Sequence, residues 1–124
     1  MFPTGRFHRG INHPSQIQPF IAADASLCGD PSLLPGMPQA VARLYRALLG
    51  SESIAVYGDF DADGVTATAL MVEGLSLLNV KAIPYIPHRV TEGYGLKTAA
   101  LETLRKQGVT LVVSVDCGIT ALDP

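Results

Sequence analysis

The chain has 124 residues, 48% of them hydrophobic and 16% charged, a balance that excludes a disordered segment and allows one small domain with its own core. Its net charge of −2 supplies no global basic field, so any contact with nucleic acid must be local or lie in other parts of the protein. No apolar run reaches the length of a membrane span, and the first residues, MFPTGRFHRG, lack the apolar stretch of a signal peptide. The two cysteines, Cys28 and Cys117, have no metal-ligand spacing and read as reduced thiols of a cytoplasmic protein.

Residues 1–10 read as poorly ordered. From Ile11 to Ala23 a short helical stretch is expected, with Ser15 as its N-cap and Ile17, Phe20 and Ile21 as an apolar stripe. Pro19 works against it. Residues 30–38 (DPSLLPGMP) form a proline-rich connector. Gln39 to Leu49 reads as an amphipathic helix. Val41, Leu44, Tyr45 and Leu48 fall at i, i+3, i+4 and i+7, Arg43 and Arg46 take a solvated face, and Gly50 stops it. Ile54 to Tyr57 is a short buried strand that runs into Asp59, Asp61 and Asp63. Val65 to Asn79 is a helix dense in Ala and Leu with Glu73 as its only charge, a composition expected of a helix buried against a sheet. Val80 to Ile86 is a second strand, which Pro84 assigns to an edge or a bulge. Residues 87–96 (PHRVTEGYGL) are too polar and Gly-rich for either regular state. Lys97 to Gln107 is a third helix, stopped by Gly108. Thr110 to Val115 is a continuous apolar strand of the buried, parallel kind, ending in Asp116-Cys117-Gly118.

The order β-α-β-α-β after a helical preface predicts an α/β fold with a parallel sheet and right-handed crossovers. The expected organisation is a helical lead-in over residues 1–50 and a sheet domain over residues 51–124. In open α/β sheets ligands bind outside the carboxyl ends of the strands. That rule gathers Asp59, Asp61 and Asp63 after the first strand, the 88–96 loop after the second, and Asp116 after the third.

Alternation along an extended backbone would put the three carboxylates of Ser53 to Gly64 (SIAVYGDFDADG) on one side. Three negative charges in five residues repel unless protons or cations intervene. Three chemistries use such a string. A calcium loop of the D-x-D-x-D-G type needs Glu at its twelfth position, where this chain has Leu70, and it follows a helix rather than a strand. A phosphoryl-transfer site with an Asp nucleophile uses D-x-D followed by Thr or Val, and Asp63 stands there instead. A metal-dependent phosphoesterase uses the carboxylates to hold one or two divalent ions. A solvated acidic turn is the alternative without chemistry. For Asp116 the alternative is an ordinary turn residue, for Tyr94 packing against the next helix, and for Thr66 and Thr68 helix packing.

The string YGDFDADG resembles the first motif of the DHH phosphoesterase superfamily, most closely its RecJ-type branch of single-stranded-DNA exonucleases. VDCG is similar to the second acidic motif of that branch, and PHRVTEGYGL to the segment whose Arg meets substrate phosphate. In the related family II pyrophosphatases a His precedes the acidic pair, where Tyr57 stands here, a departure that favours the RecJ type. The resemblance implies Mn²⁺ or Mg²⁺, in a two-metal site in the intact protein, held by Asp59, Asp61, Asp63 and Asp116. Asp61, Asp63 and Asp116 would carry catalysis, and Arg89, Gly64 and Tyr94 would meet substrate phosphate. It implies 5′→3′ hydrolysis of single-stranded DNA in repair and recombination, with a single-strand-binding protein or helicase as partners of the intact protein and no membrane. Other outcomes are an oligonucleotide or cyclic-dinucleotide phosphodiesterase, or a non-catalytic module that binds single strands or a replication partner. The Asp-His-His triplet does not occur in the chain, so it reads as an N-terminal fragment of the catalytic domain, weakly active or inactive alone.

Overall fold

The computed structural model describes residues 11, 13–25 and 28–121; the expectation for residues 1–10 lies outside that set. The chain groups into two compact units, Met1–Val41 and Ala42–Pro124. In the first, a 3-10 turn over Pro14–Gln16 precedes helix α1, Ile17–Ile21. His13, not Ser15, is the cap. Its Nδ1 accepts from the Ser15 N–H at 3.3 Å, and its own N–H donates to Gln16 Oε1 at 2.9 Å. Pro14 at the first turn is compatible with helical φ, so the turn begins two residues earlier than expected.

Helix α2 spans Met37–Leu49. Ala47 is buried and Leu44 and Leu48 are half-buried, while Val41 and Tyr45 are exposed, so the core stripe is narrower than the sequence spacing suggested. Ser51, not Gly50, takes the left-handed conformation that ends it, at φ 50°. Arg43 is not merely solvated. It makes a two-pronged pair with Glu52, at 2.9 and 2.8 Å, and Thr110 Oγ1 donates to the same carboxylate at 2.9 Å. The Arg43 guanidinium, followed by the Thr110 hydroxyl, holds the Glu52 carboxyl below its ordinary range.

The sheet has three parallel strands, β1 (Ile54–Tyr57), β2 (Ile83–Tyr85) and β3 (Leu111–Ser114), in the order β2-β1-β3. Helix α3 (Ala62–Leu77) connects β1 to β2, and α4 (Thr98–Lys106) connects β2 to β3. Central β1 is buried on both faces. Ile54 and Val56 pack with Ala47 of α2 and Leu75 of α3, while Ala55 and Tyr57 pack with Ala100 and Leu104 of α4. The period of two thus feeds two separate cores. The crossovers step in opposite directions over opposite faces and so share one hand, as parallel connections do. Pro84 lies in β2, an outer strand of the three, as its missing N–H requires. β3 differs from expectation. Leu111, Val112 and Val113 are only half-buried, because among the described residues the strand pairs with β1 alone.

Helix α3 starts three residues earlier than its apolar run and is not buried all round. Gly64, Thr68 and Leu75 form its inner face, whereas Leu70 is 73% exposed. A sequence apolar on every side cannot say which stripe faces the sheet. Leu75→Ala is therefore expected to cost about 2–5 kcal/mol and Leu70→Ala less than about 0.5 kcal/mol in urea unfolding. Equal costs would place the wrong face on the core.

Candidate functional site

The carboxyl end of β1 carries two glycines' worth of close contact. A Cβ on Gly58 would collide with Thr68 Oγ1 and lie 2.8 Å from the Gly64 carbonyl oxygen. A Cβ on Gly64 would run into the Asp59 backbone, 2.7 Å from its carbonyl carbon. Only glycine lets the first turn of α3 press directly on the strand end. The contact encloses Asp59, which is 1% exposed. Its Oδ1 accepts the Phe60 N–H at 2.8 Å, and its buried Oδ2 has no hydrogen-bond partner.

Asp61 is the N-cap of α3, and its Oδ1 accepts the Gly64 N–H at 3.0 Å. Asp63 sits in the first helical turn, where the helix dipole favours a negative charge. The three acids therefore do not line one side of an extended backbone. The helix begins at Ala62 and ends the two-residue period, leaving Asp59 enclosed and Asp61 and Asp63 exposed. The Gly64 donor is already used by Asp61, so Gly64 serves close packing rather than offering an open N–H. Thr66 and Thr68 spend their hydroxyls on the carbonyls of Ala62 and Gly64, at 2.8 and 2.7 Å.

Asp116 follows β3 on the same edge. The Val115 N–H donates to the Tyr57 carbonyl at 2.9 Å, which ties the ends of the two strands together. Asp116 has a left-handed backbone at φ 58°, a conformation that Asp tolerates better than most residues. Its carboxyl is pushed above the ordinary range by desolvation and by the negative charges of Asp61, Asp63 and Asp59. Asp116 thus feels the charge of the other three acids. Among the described residues, however, no three His, Cys, Asp or Glu side chains converge closely enough to hold an ion as they stand. The Cys117 thiol is pushed up by burial and by the charges of Asp59 and Asp116, which disfavours a nucleophilic thiolate and suits a packing role.

The loop after β2 meets this edge through aromatic rings. Tyr57 and Tyr85 are paired in register and stack at 5.0 Å, and the Tyr57 hydroxyl donates to the Gly95 carbonyl at 3.1 Å. Arg89 lies over the Phe60 ring at 5.1 Å, and Tyr94 meets the same ring edge-on at 6.4 Å. Arg89 and Tyr94 thus both rest on the ring of Phe60, the residue that follows Asp59. Glu92 accepts hydrogen bonds from the Tyr85 hydroxyl and from the His88 N–H, the latter at 2.7 Å. Its carboxyl is lowered, chiefly by the His88 N–H, while the bond to Glu92 helps push Tyr85 up to about 12. Sequence reasoning passed over Phe60, Tyr85 and Glu92. The available signal for Tyr85 was its place at the strand end opposite Tyr57; Glu92 had none beyond its spacing of four from His88.

A family model described as the DHH family, N-terminal domain, matches residues 53–124. The chain belongs to the DHH family. Among DHH-family relatives it is similar to the single-stranded-DNA-specific exonuclease RecJ of Bacillus subtilis, 36% identical over 114 residues, which is 92% of this chain and 14% of that protein. It is 39% identical to RecJ of Thermus thermophilus over 116 residues, 92% of this chain and 16% of that one. A crystal structure of exonuclease RecJ bound to manganese superposes with a TM-score of 0.65 at 44% identity, covering 70% of this chain and 22% of the other. RecJ of T. thermophilus in complex with Mn²⁺ gives 0.60 at 33% identity, over 93% and 15%. The DHH chain described here thus spans about a sixth or less of the length of these two sequence relatives.

The acids at this edge offer only oxygen donors, the ligand type that suits hard divalent cations, although they do not converge on one point. The unpartnered Oδ2 of Asp59 fits such an ion, because a buried acceptor left bare costs about 1–3 kcal/mol and more when charged. In EDTA, Asp59→Asn is expected to leave stability in urea unchanged or to raise it by up to about 2 kcal/mol. A loss above about 1 kcal/mol would mean that the carboxylate has a partner in solution. Glu92 has a depressed pKa, so its contribution is full above the ordinary glutamate value of about 4.3 and is lost as pH falls through the lower folded value. The protection factor of the His88 amide, its exchange rate corrected for the intrinsic pH dependence, should fall on that acid side and stay constant from neutral pH down to about 5.

Proposed function

We propose that the chain forms part of the active site of a metal-dependent phosphodiesterase that degrades single-stranded DNA in the 5′→3′ direction, in repair and recombination. One observation carries the reading. The Asp59 carboxylate is enclosed at the end of the central strand with one oxygen lacking a donor, and its charge is one of those that raise the Asp116 carboxyl. The similarity to RecJ proteins, two of them solved with manganese, supports the choice of metal and substrate.

Asp59, Asp61, Asp63 and Asp116 would hold Mn²⁺ or Mg²⁺, which when bound lowers the pKa of a water and neutralises phosphate oxygens. The residues themselves do the rest. Four carboxylates without a counter-charge repel a phosphodiester, so substrate binding is gated by cation binding. Asp61 is held in its capping rotamer by the Gly64 N–H, and the turn after β3 sets the backbone of Asp116. Arg89 is exposed beside Phe60 and, among the described residues, has no ion pair. Its planar donors can take two oxygens of a substrate phosphate. Tyr94, 64% exposed and edge-on to Phe60, offers a ring and a hydroxyl to the same nucleotide. Among the described residues no helix is long and apolar enough to cross a membrane. A cytoplasmic enzyme working beside a single-strand-binding protein or a helicase fits the substrate.

The test uses 5′-phosphorylated oligo(dT) and the protein as its gene encodes it. Asp61→Asn and Asp116→Asn should each lower cleavage roughly a hundredfold or more. EDTA should stop the reaction and Mn²⁺ restore it. Residues 1–124 alone should cleave weakly or not at all. Cleavage that survives both substitutions would move the site elsewhere.

A further inference from the structure

We propose that Glu92 is a positioning residue that sets Arg89 for substrate phosphate while leaving the Arg89 charge unspent. The proposal rests on the reading above, in which Arg89 meets that phosphate.

The turn from His88 to Gly93 is closed by backbone bonds from Glu92 and Gly93 N–H to the His88 carbonyl, at 2.9 and 3.3 Å. The Glu92 side chain closes it a second time. One carboxylate oxygen accepts the His88 N–H, and the other accepts the hydroxyl of Tyr85, the last residue of β2. Arg89 is the residue next to that anchored His88. An acid three residues from an arginine would ordinarily be read as its ion-pair partner. Here both carboxylate oxygens are taken by neutral donors, and among the described residues Arg89 has no ion pair. Its guanidinium rests on the Phe60 ring instead, a contact of about 0.5–1 kcal/mol at exposed sites that an incoming anion can share.

The anchor is itself held. Tyr85 stacks on Tyr57, whose hydroxyl reaches the Gly95 carbonyl at the far end of the same loop. Both ends of the loop are thus tied to the ends of β1 and β2, and β1 leads within two residues to Asp59. A site is placed by the shell that locks its rotamers and backbone, and Glu92 is the charged member of that shell.

The experiment uses the protein as its gene encodes it. The readouts are the side-chain NMR shifts of Arg89, displaced by the Phe60 ring, and affinity for 5′-phosphorylated oligo(dT). Glu92→Ala should erase the ring-induced shift and weaken binding about tenfold. Glu92→Gln, which keeps an acceptor, and Tyr85→Phe, which keeps the stacked ring, should fall between it and the parent. Together they decide the matter if Glu92→Ala does not fold. In the Arg89→Ala background, Glu92→Ala should cost nothing further. An unchanged Arg89 shift in these variants, or additive losses in the double variant, would overturn the proposal. If Arg89→Ala alone leaves oligonucleotide binding intact, the phosphate-binding reading fails. The Arg89 shifts still judge the positioning.

Discussion

Gly64 lies against the Asp59 backbone with no space for a Cβ between them, and the positions of the acids follow from that contact. The helix must start at once after the strand, so Asp61 becomes its cap and Asp63 its first turn. Asp59 is left inside the corner with nowhere to reach water. A carboxylate in such a corner is a local conflict in an otherwise consistent fold, and conflicts of that kind gather where function is served. The surrounding apolar packing keeps the corner closed. β1 is buried on both faces, and each face is covered by different helices.

The two ends of the sheet handle charge in opposite ways. At the amino end Glu52 is satisfied by Arg43 and Thr110, and that clasp joins the middle of α2 to the residues that lead into β1 and β3. At the carboxyl end four carboxylates stand without a basic partner among the described residues, and Asp116 registers the others as a raised pKa. Paired charge sits at the amino ends of the strands, and unpaired charge sits at their carboxyl ends, among the described residues. Strand β2 extends the second region. Its following loop leads to α4, on the face opposite α3, and neighbouring strands whose loops part to opposite faces leave a crevice at their ends.

Much of this was legible in the residues. The alternation of apolar runs and helical spacing is enough for the parallel sheet, because connections in such sheets have few solutions. Placing Asp59, Asp116 and the Arg89 loop at one edge followed from topology alone. What could not be read was which way each acid turns. The period of two along Asp59, Asp61 and Asp63 holds only while the backbone is extended, and the close approach at Gly64 that ends it is a tertiary contact. The face of α3 was hidden for a related reason: an all-apolar helix has no polar stripe to mark its outside. The bonds from Tyr57 and Glu92 join residues distant in sequence or hidden in an irregular loop, where no periodicity reports them. Resemblance to a family supplied the chemistry that spacing left open.

The left-handed backbone at Asp116 has a consequence for how this protein can change over generations. Few residues accept that conformation cheaply: Gly, Asn and Asp. Both Asn and Gly codons lie a single base change from those of Asp. Each replacement preserves the turn while removing the charge. Drift at this position is therefore channelled into folded proteins that keep the turn after β3 and have lost one of its acids.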